Sequence, residues 1–372
     1  MTRHDHDILN TLAEIAPGSE LAQARHTREA ATRHSEGSYR ALFTDIDESN
    51  ALPLSLRLWL AESISAWHQD SLLQRFYAQR RKDFPAPPPT LAIDAALAHA
   101  ERLTRDPVGS ASADLQALLT TGWTPDSIVT LSQITAFVSF QSRLLRGLRL
   151  LAGHTVDIPT PRDATAGRWH THAHTLSGQR APQAFTQAEL GWEPWIAPKA
   201  LNEFNADEQA LLARFGHSDS DYFRLLARDL PVLEQRTLTD KGIFYTSGGL
   251  PRAERELAAA VVSKVNGCIF CASVHARKAS QLAKQHDAVQ RLLDTAAGAD
   301  LAQGQDPRWQ AIITFAARLS TTPAQVDKHA LARLHEQGLT TLEILDLVQS
   351  AAFFAWANRL MLTLGEPFWP EH

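Results

Sequence analysis

Leu250-Pro-Arg-Ala-Glu-Arg-Glu-Leu-Ala-Ala-Ala-Val-Val-Ser-Lys-Val-Asn-Gly-Cys-Ile-Phe-Cys-Ala-Ser-Val-His275 reads as two helices with a stop between them. Pro251 suits a first helical residue, where its missing N–H costs nothing. Gly267, preceded by Asn266, suits a helix terminator, because glycine takes the left-handed conformation freely. A second helix then starts at Cys268. On it Cys268, Cys271 and His275 fall at i, i+3 and i+7, one face of the helix. On the preceding helix Glu256 shares a face with Ala260, Ser263 and Gly267, whose small size leaves room for a carboxylate beside the thiols.

Working outward, the same helical period runs through Leu54–Tyr77, Leu91–Leu103, Ser127–Leu151, Asp207–Phe215 and Leu342–Leu364, and strand-like alternation is almost absent. Thr124-Pro125-Asp126 reads as an N-cap followed by proline, and Asp219 and Thr340 are further N-cap candidates. The expected fold class is all-α. Pro85-Ala-Pro-Pro-Pro89 is a stiff connector. Residues from Gly153 to about Pro198, rich in Pro, Gly, Thr and His, read as an inter-domain linker. Its end, Leu190-Gly-Trp-Glu-Pro-Trp195, is expected to pack on the second domain, since exposed tryptophan pairs are uncommon.

The chain also resembles itself. Leu52-Pro53…Arg57 aligns with Leu250-Pro251…Arg255. At a second offset, Gly122…Ile128…Leu131…Gln133…Ala136-Phe137…Arg143-Leu144 aligns with Gly338…Ile344…Leu347…Gln349…Ala352-Phe353…Arg359-Leu360. Two copies of one helical unit account for this. The expected division is 1–153 for the first copy, 154–198 for the linker and 199–372 for the second. Opposite Glu256, Cys268, Cys271 and His275 the first copy has Leu58, Asp70, Leu73 and Tyr77, so it is expected to be structural and the second copy active.

Composition narrows the function. The chain has 372 residues, 44% hydrophobic and 21% charged, with a net charge of −5, an ordinary globular balance that carries no basic nucleic-acid footprint. No run of 18 apolar residues suggests a membrane span, and no apolar segment follows Met1–Asp7 to suggest a secretory signal, so a cytoplasmic location is expected. The only two cysteines sit three apart, which points to redox chemistry or metal and away from a disulfide-stapled secreted domain. A helix N-terminus and a histidine one turn away both favour a thiolate. A second thiol can resolve a sulfenic acid into a disulfide. A buried Glu256 is expected to have a raised pKa and to pass protons. The competing reading is zinc, with Cys268, Cys271 and His275 as ligands and His286 the nominal fourth.

Other features read as structure. His170-x-His172-x-His174 lies in the linker with no cysteine or carboxylate partner and reads as solvated. Phe353-Phe354-Ala355-Trp356 and the set Trp59, Trp67, Phe76 and Tyr77 read as core, with a second possible use as the apolar wall of a pocket. Arg57 and Arg255 occupy equivalent repeat positions and read as structural ion pairs to a neighbouring helix.

The pattern Glu256-x11-Cys268-x2-Cys271-x3-His275 resembles that of the carboxymuconolactone decarboxylase-like superfamily, in its alkyl hydroperoxidase D branch. The resemblance covers roughly residues 200–365. Phe270 stands where the branch often has a second histidine. The resemblance implies an all-helical fold, assembly as a homo-oligomer (dimer or trimer), and thiol-dependent reduction of a hydroperoxide. It implies Cys271 as the peroxidatic thiol, Cys268 as the resolving thiol, and Glu256 with His275 as the proton relay. An external dithiol or disulfide reductase would supply electrons, with no cofactor or metal. A thiol–disulfide exchange adaptor with little peroxidase activity is the alternative.

Overall fold

The computed structural model describes residues 7–44, 46, 50–156, 158 and 163–371. Residues 1–6, and 157 and 159–162 of the expected linker, lie outside the described residues. The chain is essentially all-α with one small sheet. In the first part the helices are α1 (Ile8–Leu12), α2 (Glu20–Thr27), α3 (Glu29–Phe43), α4 (Leu54–Trp67), α5 (Ser71–Arg81), α6 (Leu91–Arg105), α7 (Ser112–Thr120) and α8 (Pro125–Leu151). After strand β1 (Gly191–Pro194) come α9 (Ala206–Phe215), α10 (Asp221–Leu226), α11 (Leu230–Phe244), α12 (Arg252–Asn266), α13 (Ile269–Ala283) and α14 (His286–Asp294). The chain closes with α15 (Pro307–Ser320), α16 (Lys328–Glu336), α17 (Thr341–Leu364) and strand β2 (Gly365–Phe368).

Local chemistry explains the boundaries. Thr124 and Thr340 both cap as expected, each hydroxyl accepting the backbone N–H three residues on. Two expectations shift. The helical pattern over Leu54–Tyr77 is broken into α4 and α5, because Gln69 turns left-handed (φ +56°) and the Asp70 carboxylate caps Leu73 N at 3.0 Å. Asp219 is not the cap of α10; Ser220 next to it is, accepting from Phe223 N. Pro251 is the N-cap of α12, with helix starting at Arg252.

The helix starts recur at two intervals. Leu54 and Arg252 share one, as do Ser71 and Ile269; Leu91 and Pro307, Ser112 and Lys328, and Pro125 and Thr341 share a longer one, with α14 falling in the difference. Long-range bonds recur too. Arg57 Nη1 donates to Leu42 O at 3.1 Å, and Arg255 Nη1 to Ile243 O at 2.9 Å. Arg143 Nη2 donates to Ser320 O at 3.4 Å, and Arg359 Nη2 to Thr104 O at 2.9 Å. The ion-pair expectation holds for Arg255, which meets Asp346 of α17. Arg57 instead donates to the carbonyls of Leu42 and Leu52, with the Asp229 carboxylate acting on it through space and not as a contact ion pair.

One hydrophobic core runs through the molecule. Helix α8 lies against α17, and α3 against α11. Between α8 and α17 the rings of Phe137, Phe140, Phe353 and Trp356 interlock at centroid distances of 5.1 to 6.5 Å. Trp356 satisfies its buried indole N–H on Gln133 Oε1 at 2.8 Å. Tyr77 is buried, and Trp59, Trp67 and Phe76 are partly buried against the same core. Among the described residues no helix is long and apolar enough to cross a membrane.

The segment after α8 wraps over the second half. Gly167 N donates to Lys264 O, and an added Cβ at Gly267 (φ +77°) would sit 2.3 Å from Arg168 O, so both the turn and the overlying chain require glycine there. β1 pairs antiparallel with β2, and Trp192 and Trp195 donate their indole N–H groups to Met361 O and Glu366 Oε1. The Leu190–Trp195 stretch thus packs where expected.

Candidate functional site

Helices α12 and α13 bring the four sequence-chosen residues together. Gly267 ends α12 in the left-handed conformation, and Cys268 becomes the N-cap of α13. Both cysteines are free, reduced and buried, at 2% and 5% exposure. The Cys268 thiol lies against that of Cys271. One turn further along α13, His275 Nδ1 is hydrogen bonded to Glu256 Oε2 from α12. Arg252 Nε donates to the other oxygen, Glu256 Oε1, at 2.7 Å.

The Glu256 side chain is fully buried, and burial pushes its pKa up. Its hydrogen bond and charge interaction with His275, then Arg252 and Lys278, outweigh burial and hold it below the ordinary carboxylate range. The raised pKa expected from burial is therefore overturned by partners the sequence did not place. Glu256 is an ionised acceptor, so Nδ1 of His275 carries the proton it shares with Glu256. Nε2 is then left to exchange protons. T-shaped contact with the Phe354 ring at 4.3 Å fixes the imidazole plane.

Cys268 differs. Burial pushes its thiol well up, and the adjacent Cys271 thiol adds to this, against smaller opposing effects from the Cys271 backbone N–H and then Asn358. Asn358 is itself held in a buried chain, accepting from Asn266 Nδ2 and donating to Ser263 Oγ, both at 3.0 Å. The first-turn N–H of Cys271 does favour the thiolate as expected, but burial outweighs it at this cysteine.

The two thiols open to different cavities. Cys271 and His275 line one of about 510 Å³, together with Tyr222, Arg236, Asp240, Lys278, Phe353 and Phe354. Cys268 lines another of about 300 Å³, with His170, His172, His174, Trp195 and Glu366. Trp192, Phe270 and Met361 line both and form the partition. The linker histidines are thus not simply solvated: His170 is half-buried and all three line the Cys268 cavity. His286 sits at the exposed start of α14 beside Asp287. Among the described residues no group of three His, Cys, Asp or Glu is placed to hold a metal ion.

Sequence reading missed Arg252, Tyr222, Arg236, Asp240 and Asn358. Arg252 alone had a signal, its i,i+4 spacing to Glu256. The others come from α10, α11 and α17, and only the packing of those helices brings them near.

Glu256→Gln is expected to destabilise the protein by about 1–3 kcal/mol at neutral pH, the range of a charged hydrogen bond. Because the folded carboxyl is held below its unfolded value, its contribution is full above the unfolded pKa and is lost as pH falls through the folded one. Urea unfolding at pH 7 and in acid checks this. The gap between variant and wild type is expected to close in acid, and an unchanged gap would contradict the ionised pairing.

No curated protein matches the chain. Residues 231–299, from the start of α11 past the end of α14, match the model of the carboxymuconolactone decarboxylase family. This segment, which carries the glutamate, both thiols and the histidine, is thus similar to the carboxymuconolactone decarboxylase family, the superfamily to which the alkyl hydroperoxidase D-like proteins belong.

Proposed function

We propose that the protein reduces hydroperoxides with the Cys268–Cys271 pair and is recharged by an external dithiol. One observation carries the reading: His275, held by Glu256 and through it by Arg252, lines the cavity into which Cys271 opens. His275 Nε2 takes the Cys271 proton, and Glu256 stabilises the imidazolium that forms. Cys271 Sγ attacks the terminal peroxide oxygen. An S–O bond forms, the O–O bond breaks, and the departing alkoxide takes the proton back from His275 as an alcohol. Cys271 is left as a sulfenic acid.

Cys268, held protonated by burial and by its neighbour, then attacks Cys271 Sγ. The S–S bond forms, and hydroxide leaves with the Cys268 proton as water. A dithiol reduces this disulfide and becomes oxidised in its place. The separate cavity at Cys268 gives that reductant its own approach. We further read residues 1–153, 154–198 and 199–372 as a structural copy, a connecting segment and an active copy of one helical unit. The recurring helix starts and the paired bonds of Arg57 and Arg255, and of Arg143 and Arg359, support this. A cytoplasmic setting and a homo-oligomer belong to the same proposal.

The thiol–disulfide adaptor is the second reading, favoured by Phe270 between the thiols and by the cavity on the Cys268 side. Stopped-flow mixing of the reduced protein with cumene hydroperoxide, with thiols counted before and after, separates the two. Two thiols lost per peroxide consumed is the expected result. No consumption, with a small disulfide still oxidising the pair, would transfer the reading to the adaptor.

A further inference from the structure

The Cys271 cavity contains a cation that the reduction step does not use. Arg236 of α11 is 6% exposed, and its Nε is buried without a hydrogen-bond partner. The guanidinium carbon lies 5.1 Å from the Phe353 ring centroid and 6.0 Å from that of Tyr222. These rings hold the cation in place but accept none of its in-plane hydrogen bonds. The Tyr222 hydroxyl, on the same cavity, is likewise buried without a partner. Two buried donors left open side by side is a costly arrangement unless an acceptor arrives from outside the fold.

The charged groups around them are mixed, with Asp219, Asp221 and Asp240 on the same lining. Lys278 of α13 adds a second cation to the lining. Asp240, one turn along α11, lines the cavity too, and burial raises its pKa against the opposing pull of Arg236, His275 and Lys278. Asp219 and Asp221 also line the cavity; Asp221 is paired with Arg224. The remaining wall is Trp192, Phe353, Phe354 and Met361, which suits an apolar body of aromatic size rather than a small inorganic ion. A planar carboxylate matches the guanidinium edge.

Building on the peroxidase reading, we infer that the cavity takes an organic hydroperoxide that also carries a carboxylate. The carboxylate binds Arg236 and Tyr222, the apolar body lies on Phe353 and Phe354, and the peroxide reaches Cys271. The electron and proton balance is that of the reduction above, and the carboxylate is a spectator.

The test compares cumene hydroperoxide with its 4-carboxy derivative as substrates, and 4-isopropylbenzoate with its methyl ester as binding probes followed by calorimetry. Wild-type protein is expected to prefer the carboxylated peroxide in kcat/KM by about tenfold or more, chiefly through KM. It is also expected to bind the benzoate more tightly than the ester. Arg236→Gln is expected to bring both ratios close to one, and Arg236→Lys to keep part of them. Equal consumption of both peroxides with no benzoate binding by wild type would overturn the inference and leave the peroxidase reading standing. Arg236-dependent benzoate binding without consumption of either peroxide would uphold the carboxylate site and remove the peroxidase reading.

Discussion

Cys271→Ser is expected to abolish hydroperoxide consumption, a loss of at least about 10³-fold, because the variant has no other thiol on the His275 cavity. Cys268→Ser is expected to behave differently. Its first chemical step survives, so each chain consumes one peroxide in a burst. The sulfenic acid on Cys271 then has no thiol beside it and cannot close to a disulfide. With excess peroxide it advances to the sulfinic acid, visible by intact mass as one added oxygen and then two. The asymmetry follows from placement: Cys271 shares its cavity with His275, whereas Cys268 faces the other cavity and is held as a thiol by burial. A burst from Cys271→Ser and silence from Cys268→Ser would reverse the two roles. Unimpaired turnover by Cys271→Ser would remove the mechanism altogether.

What could be read from the sequence was what lies within one helix or one turn. The caps at Thr124 and Thr340, the glycine stop at Gly267 and the one-turn spacing of Cys271 and His275 on α13 all depend on neighbours a few residues away, and all appear in the structure, whereas Cys268, expected on the same face, is the N-cap and lines a different cavity. Glu256 could be chosen because α12 and α13 form a hairpin with a fixed turn. The direction of its pKa could not. Burial was foreseeable, but the hydrogen bond from His275 depends on how the two helices pack, and it decides the sign. The unpaired Arg236 and Tyr222 were invisible for the same reason, being carried by α11 and α10, whose own sequences show no reactive pattern. The segment after α8 misled through composition. Its Pro, Gly and His content suggests a solvated tether, yet backbone bonds at Gly167 and Trp195, each to a distant element, fasten it over the Cys268 cavity.

Asp346→Ala is expected to cost about 3–5 kcal/mol of stability, the range found when one partner is removed from a buried ion network. Asp346 sits in the second turn of α17 at 1% exposure, and the two arginines it meets have side chains equally buried. Its Oδ1 accepts Arg28 Nε at 2.6 Å. Its Oδ2 accepts Arg28 Nη2 at 2.9 Å, Leu250 N at 2.9 Å and Arg255 Nη2 at 3.1 Å. One carboxylate thus neutralises two guanidinium groups and fixes the turn that leads into α12. Alanine would leave both cations facing each other without a counter-charge, and the Leu250 N–H without an acceptor. The backbone is built around this group: at Gly249 (φ +65°) an added Cβ would lie 2.1 Å from Asp346 Oδ2 and 2.5 Å from Arg28 Nη2. Asp346→Asn retains an oxygen for Leu250 N but loses the charge, so it is expected to fall between alanine and wild type. Urea unfolding of the three proteins at pH 7 gives the comparison. A change below about 1 kcal/mol for alanine, the scale of an exposed pair, would mean that water or a shifted arginine replaces the carboxylate. The network also bears on the chemistry, since Arg255 immediately precedes Glu256, and the turn that Asp346 pins sets where α12 begins and so where Glu256 meets His275.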